Sequence, residues 1–333
     1  MTLNQLLGAC GRLRLVTRLL AAGLVLILAV SCTKTRKDTA QTAADTIPLP
    51  AQPLVRQLPE VGVRGGRFVY GQTINPKTFN AMMANETSSS DITDLAFVGL
   101  VGFDKITQTE APELATSWEV SPDALTWTFH LRDGARFSDG HPITSEDVLF
   151  SFQLAYDETL HPAVQDLVMM NGKKFEVSAP DAKTVVIASP TPNAMMVSLA
   201  GSVKIMPKHI LEPAFRNGTF ASAYTVSTPP DQIVTSGGWV IKQYVPGEKT
   251  VLGRNPYWYR VDQRNNRLPY LNELVFIVVP DQDAADLKFR SGELDGLENV
   301  KPENYKYYED HQKDGTYTLL NLGPRMTTNF FWF

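Results

Sequence analysis

The chain has 333 residues, of which 31 are basic and 35 acidic, giving a formal net charge of −4 at pH 7. This balance lacks the basic surface that nucleic-acid binding normally requires, so we expect no nucleic-acid partner. Hydrophobic residues make up 43% and charged residues 20%, as in folded globular proteins, and 22 glycines with 22 prolines favour short strands and turns.

The first predicted element is an export signal over residues 1–31. Three arginines precede an unbroken apolar stretch at 19–30, which is shorter than the ~20 residues that span a bilayer. Small Ser31 then stands directly before Cys32, and this junction resembles the bacterial lipobox, in which the cysteine is lipidated. The other cysteine, Cys10, lies within the signal, so the exported part has no internal disulfide. We expect lipidation at Cys32; the alternative is a plain signal peptide with an incidental cysteine.

Residues 32–62 are rich in proline, threonine and alanine and contain almost no aromatic residue. Such a segment buries too little apolar surface to offset its ordering entropy, which predicts a flexible tether. Beyond it, apolar spacing predicts a mixed α/β fold without strict βαβ alternation. The predicted elements are a helix at 95–101, a strand at 125–132, a helix capped by Thr144 with Asp147, a hairpin at 175–187, a strand at 274–279, a helix at 283–291 ended by Gly292, and a strand at 316–321.

Motifs of catalysis and metal binding are absent from the sequence. There is no G-x-S-x-G, H-E-x-x-H, P-loop or G-x-G-x-x-G pattern, and the five histidines are scattered. Asp281 and Asp283 are interpreted as a turn and helix N-cap, since a calcium loop would need an acidic residue where Gly292 stands. We expect no metal and no cofactor. A pair of cleft carboxylates such as Glu86 and Asp91 would leave no sequence signature, so an enzyme stays an open alternative.

Three ordered blocks then resemble one protein family. The first comprises LA-x-SWE at 114–119, WTFHLRDG at 127–134 and ARFSDGHPIT at 135–144. The second is TSGGWVIKQYVPGEKTVLGRNPYWY at 235–259, and the third is FRSGELDGL at 289–297. Together they resemble the extracellular solute-binding proteins of family 5, the peptide-, dipeptide- and nickel-binding receptors of ABC importers.

The resemblance implies a bilobal α/β receptor of the periplasmic-binding-protein type (class II, cluster C), whose lobes close on a ligand. Members of the family are longer, and the chain stops within an apolar strand, so we expect an N-terminal fragment with the second lobe largely missing. The implied division is a first lobe at 63–102 and 189–322, a small extra domain at 103–188, and the start of the second lobe at 323–333.

The implied function is binding of oligopeptides or a similar small solute without catalysis, and delivery to an ABC permease with its ATPase subunits. Nickel, haem and sugar stay open as ligands. The implied receptor is a monomer, lipid-anchored to a bacterial membrane in the periplasm or outside the cell. By similarity, the ligand contacts fall on three short stretches: Glu86, Thr87 and Ser88; Ser236, Gly237 and Gly238; and Asn329, Phe331 and Trp332. Two alternatives stay open. One is an anchored extracytoplasmic hydrolase of cell-wall peptides or glycans, and the other is a receptor that feeds a sensor or scaffold.

Overall fold

A computed structural model describes residues 46–104 and 107–321. The predicted signal, Cys32, and the predicted contacts Asn329, Phe331 and Trp332 lie outside the described residues. The helices are α1 Thr87–Ala96, α2 Ser145–Ala155, α3 Met196–Ser202, α4 Lys208–Arg216, α5 Gln282–Arg290 and α6 Pro302–His311. Within the described ranges, none of the helices has the length and apolar character needed to cross a membrane.

The strands are short. They are β1 Leu54–Arg56, β2 Arg67–Gln72, β3 Val101–Asp104, β4 Thr109–Pro112, β5 Ala115–Val120, β6 Thr126–Leu131, β7 Met169–Met170, β8 Lys173–Lys174, β9 Glu176–Asp181, β10 Thr184–Ala188, β11 Trp239–Val245, β12 Lys249–Arg254, β13 Arg260–Asp262 and β14 Glu273–Val278.

The main sheet has the strand order β11-β12-β14-β2, in which β14 runs parallel to β2 and the other pairs are antiparallel. The chain returns along the outer edge of β2 after α5. There the backbone N–H of Asp295 donates to the carbonyl of Val69 at 2.9 Å, and Gly296 bridges Tyr70 in parallel. Three neighbouring segments therefore run in the same direction and end at one edge of this sheet.

A second sheet, β5-β6-β10-β9, is antiparallel throughout and forms a separate layer covered by α2. The alternation that predicted β6 is confirmed at its C-terminal end, because Phe129 and Leu131 are buried while Thr128 and His130 are only half-buried. The capping box is confirmed as well: the carboxylate of Asp147 accepts from the backbone N–H of Thr144 at 2.9 Å. The predicted hairpin corresponds to β9 and β10.

Three predicted segments differ from the structure. The helix at 95–101 is wrong beyond Ala96, because Phe97 is extended and Val98 donates its N–H to the hydroxyl of Ser236. Residues 316–321 form no strand, since their backbone joins no ladder within the described part of the chain. Residues 54–56 of the expected tether instead form β1, which pairs in parallel with β13.

The later helical predictions are confirmed. The side chain of Asp281 accepts from the N–H of Ala284 and caps α5, which Gly292 follows in the left-handed conformation with φ +76°. Glycine adopts this conformation without steric cost, so it can end the helix. The strand predicted at 274–279 corresponds to β14.

Candidate functional site at the carboxyl edge of the main sheet

The carboxyl ends of β2, β14 and the segment at 295–297 lie along one edge of the main sheet. In open α/β sheets, ligands bind in the crevice beyond the carboxyl ends of the strands. The first turn of α1 lies at the same edge, because the side-chain amide of Gln72, the last residue of β2, donates to the carbonyl of Ser88 at 2.9 Å. This edge is the candidate site.

Gln72 organises the polar groups of the edge. It is only 7% exposed, and the same amide nitrogen also lies 3.5 Å from a carboxylate oxygen of Asp91, on the next turn of α1. Nearby, the hydroxyl of Tyr70 donates to the carboxylate of Glu298 at 2.5 Å. Residues from β2, from α1 and from the chain after α5 are thereby brought together, although Tyr70 and Glu298 are 228 positions apart in sequence.

The edge is electronegative. The pKa of Asp91 is raised, chiefly by burial and also by the nearby negative charges of Glu298 and Asp94. The hydrogen bond from Gln72 lowers this pKa but does not outweigh them. Burial and the bond to Glu298 likewise raise the pKa of the Tyr70 hydroxyl. Within residues 46–104 and 107–321, no ion pair to a lysine or arginine is found for Asp91 or Glu298. The edge can therefore accept hydrogen bonds from an amine, an amide or a hydroxyl.

A cavity of about 1230 Å³ begins at Tyr70 and Glu298. It extends along α6, where Tyr305 and Tyr307 are 40% and 38% exposed. Aromatic faces and carboxylates together line a space large enough for a small organic ligand.

The first predicted stretch lies at this edge. Burial raises the pKa of Glu86, but hydrogen bonds from the Ser89 hydroxyl and the Lys77 backbone outweigh it and lower the pKa. Thr87 is exposed at the start of α1. Ser88 is 6% exposed, and its hydroxyl has no hydrogen-bond partner among the described residues. Contact of these residues with a ligand stays a prediction.

The second predicted stretch lies at the opposite, C-terminal end of α1. Ser236 is fully buried and its hydroxyl accepts from the N–H of Val98 at 3.2 Å. Gly237 donates its N–H to the carbonyl of Ala96 at 2.7 Å, and a Cβ on Gly238 would contact the indole of Trp258. All these contacts are with the chain itself, and a direct contact with a ligand stays a prediction.

Glu86 and Asp91, the carboxylates of the hydrolase alternative, have different partners. Glu86 bonds to Ser89 and Lys77, whereas Asp91 bonds to Gln72. Glu86 is the extended residue that precedes α1, whereas Asp91 lies within the helix. Neither carboxylate is among the groups that shift the pKa of the other, as the two members of an acid–base pair would be.

The sequence reasoning missed Tyr70, Gln72 and Glu298. A signal existed for two of them, because Gln72 ends the strand that contains the apolar run at 68–70 and Glu298 follows the third family block. Residues that end parallel strands are the ones that face a ligand in such sheets. The sequence alone does not indicate that these segments pair in parallel, so it does not place either residue at the site.

A mixed sheet with parallel strands ending at an open edge, together with a separate small antiparallel sheet, is consistent with part of a periplasmic-type binding protein. The family model of the bacterial extracellular solute-binding proteins, family 5 (Middle), matches residues 109–333. The chain belongs to this family, and the predicted family and α/β receptor fold are confirmed.

Known relatives are similar over part of their length. A probable ABC transporter-binding protein of Deinococcus radiodurans is 30% identical over 237 residues, covering 69% of this chain and 40% of that protein. The periplasmic oligopeptide-binding protein OppA of Escherichia coli is 32% identical over 209 residues, covering 58% of this chain and 36% of that protein. The solved structure of the periplasmic binding protein MelB of Agrobacterium fabrum, in complex with stachyose, has a TM-score of 0.70 at 26% identity. It covers 79% of this chain and 42% of that chain. The chain thus spans less than half the length of these three proteins.

Proposed function

We propose that this chain is part of a solute-binding receptor of an ABC importer, that it binds oligopeptides, and that it delivers them to a permease. The observation that carries the proposal is the carboxyl edge of the main sheet, where Gln72, Asp91 and Glu298 meet the first turn of α1. Similarity to an oligopeptide-binding protein supports the peptide assignment. The division into lobe segments at 63–102 and 189–322 around a small domain at 103–188 is part of the proposal.

The chemistry of the edge suits capture without reaction. An extended peptide offers backbone N–H groups and a terminal ammonium, and the carboxylates of Asp91 and Glu298 accept hydrogen bonds from both. A charge-assisted bond of this kind is worth about 1.5–3 kcal/mol when it is shielded from water. Release then requires only opening of the cleft, and the energy for transport comes from the ATPase subunits of the importer.

A second candidate ligand is an oligosaccharide. The stachyose-bound relative supports it, and tyrosines beside carboxylates form a surface on which sugar rings stack while their hydroxyls donate. The two ligands differ in charge, since a peptide carries an ammonium and a neutral sugar does not. The charge of Asp91 therefore distinguishes them.

The test is calorimetric titration of the longest reading frame containing this sequence with a peptide pool and with a stachyose-type galactoside. We expect micromolar or tighter peptide binding, a loss of about tenfold in Asp91→Asn, and a much smaller loss in Asp94→Asn. Asp94 is the matched control because it is exposed on the same helix and pairs with Lys204 at 2.9 Å. Galactoside binding alone would replace the peptide assignment, and steady product release from either ligand would overturn the receptor proposal.

The same proposal places the receptor outside the cytoplasm, held to the membrane by lipid on Cys32. Two or three acyl chains give stable attachment, whereas one chain alone is marginal. Metabolic labelling with palmitate should mark the wild-type protein and leave Cys32→Ala unlabelled and released from membranes. An unlabelled wild-type protein that is cut after a signal sequence would support the plain signal peptide.

A further inference from the structure

Residues 48–58, here named the strap, lie against the folded body although the sequence predicts them as part of a flexible tether. The side chain of Arg267 donates to the carbonyl of Pro48 at 2.9 Å, and that of Arg132 donates to the carbonyl of Gln52 at 2.9 Å. Arg267 is 2% and Arg132 4% exposed. An arginine keeps its charge in a protein, so a buried guanidinium needs acceptors, and the strap supplies two of them.

The second half of the strap is bound as well. The backbone N–H of Leu54, the first residue of β1, donates to the carbonyl of Tyr259, next to β13, at 2.9 Å. Four residues further on, the backbone of Leu58 and the side-chain amide of Gln263 exchange two hydrogen bonds, of 3.1 and 3.0 Å. The strap is therefore held at both ends and in the middle.

The strap touches both sheets of the body. Arg132 directly follows β6 of the small antiparallel sheet, and Pro50 lies against the next turn, so close that a Cβ on Gly134 would be 2.9 Å from its ring. The connection between β12 and β14 of the main sheet supplies the other partners, among them Arg267. The strap thus crosses the joint between the two sheets.

Charged groups at the same joint favour the bound strap. Nη1 of Arg56 is 3.3 Å from a carboxylate oxygen of Asp104, and its Nη2 is 4.0 Å from Glu113, which also binds Arg260 of β13. Displacing the strap would leave Asp104 and the two buried arginines with fewer partners. Such a loss is costly for charges that are shielded from water.

The strap also shortens the free chain between the lipid and the body. Cys32 and Pro48 are 16 positions apart, a distance that an extended chain spans with at most about 55 Å. If the body began at residue 63, as the predicted tether implies, the same limit would be about 105 Å. This limit rests on the lipid at Cys32, which belongs to the proposed function, whereas the strap does not.

We propose that the strap holds the small sheet to the main sheet and attaches the membrane anchor of the receptor at this joint. The two sheets then move as one body, and Pro48 stays within about 55 Å of the lipidated cysteine. The bacterial membrane surface is the partner that this arrangement keeps close to the joint.

The test compares two replacements in the full 333-residue chain, kept in detergent. The strap variant has glycine and serine at 47–54, and the matched control has them at 38–45, so both keep their length. Trypsin cuts after arginine, and we expect cutting after Arg56 to be about a hundredfold slower than after Arg36 in the wild type, because the hydrogen bonds of the strap must open first.

In the strap variant this difference should fall at least about tenfold. The variant loses three prolines and the packing of Leu54 on the core, and its glycines cost more entropy to order. The control should retain the wild-type difference.

Hydrogen exchange is the second measurement, and it tests the connection between the sheets. In the strap variant, the peptides covering 113–136 and 259–268 should lose protection together, because both sheets lose the same partner. In the control they should exchange as in the wild type. A milder variant, Gln263→Ala, removes an exposed amide that binds Leu58 and should speed cutting after Arg56 about tenfold, so the proposal can be tested even if the strap variant fails to fold.

Equal cutting after Arg36 and Arg56 in the wild type, whether fast or slow, would overturn the proposal. Unchanged exchange of both sheets in a folded strap variant would overturn it as well. A wild-type protein without palmitate on Cys32 would remove the anchor and the limit of about 55 Å. It would not remove the connection between the sheets, which cutting and exchange test by themselves.

Discussion

Gly237→Ala should destabilise the fold, which would identify this predicted ligand contact as a structural residue. A Cβ built on Gly237 would lie 2.7 Å from the carbonyl carbon of Ala96 and 2.7 Å from the carbonyl oxygen of Leu95. Both are backbone atoms at the end of α1, so neither can rotate away as the tip of a side chain would. The N–H of Gly237 also donates to the carbonyl of Ala96 at 2.7 Å, and this bond would lengthen as the segments separate.

The magnitude follows from these two contributions. Overpacking against an immobile neighbour costs about 1–3 kcal/mol, and weakening one buried hydrogen bond costs about 0.5–1.5 kcal/mol. We therefore expect the free energy of unfolding to fall by about 2–4 kcal/mol in Gly237→Ala. Urea unfolding followed by tryptophan fluorescence measures it, because Trp239 and Trp258 are buried beside the turn.

Gly247→Ala is the matched control, since Gly247 has φ +74° and a Cβ there would meet nothing within 4 Å. Only left-handed backbone strain of about 1–2 kcal/mol applies to it. A loss in Gly237→Ala below that of the control would refute the steric argument. A variant of Gly237 that kept its stability and lost ligand affinity would instead support the predicted role in binding.

Three further predictions concern buried polar groups. Glu113 is 1% exposed and forms an ion pair with Arg260. Glu113→Gln should therefore lower the free energy of unfolding, measured by urea titration, by about 3 kcal/mol. An unchanged free energy of unfolding would contradict a stabilising ion pair. Burial raises the pKa of Asp262, but hydrogen bonds from Tyr270, Asn266 and the backbone of Arg264 outweigh burial and lower the pKa to about 2. Its stabilisation should be complete above about pH 4 and lost as the pH falls towards 2. In thermal melts, the melting temperature of Asp262→Asn should not show this additional fall between pH 4 and 2. A pH dependence equal to that of the wild type would contradict the assigned role of Asp262. Asp147→Ala removes the carboxylate that accepts from the N-cap residue Thr144 of α2 and from the backbone N–H of Lys208. It should lower the free energy of unfolding by about 2 kcal/mol in urea, whereas a loss under 0.5 kcal/mol would show that the capping box contributes little.

Local features of the fold were predictable because their causes lie within a few residues. The alternation in β6, the Thr144–Asp147 capping box and the glycine after α5 each depend on neighbours along the chain. The family was equally predictable, because its three blocks are contiguous strings. Where prediction failed locally, as for the helix expected at 95–101, a distant partner decided the backbone: Ser236 bonds Val98 and turns the chain out of α1.

The sequence by itself determined the class of the protein, local elements such as β6, α2 and α5, and the absence of catalytic motifs. Only the tertiary structure decided that Tyr70, Gln72, Asp91 and Glu298 share one edge, because parallel pairing of β2 with later segments joins residues more than 200 positions apart. It also decided that the turn at 236–238 packs under the end of α1 instead of facing solvent. Contacts of such long range leave no periodicity in a single sequence, since their geometry depends on how all the surrounding elements pack.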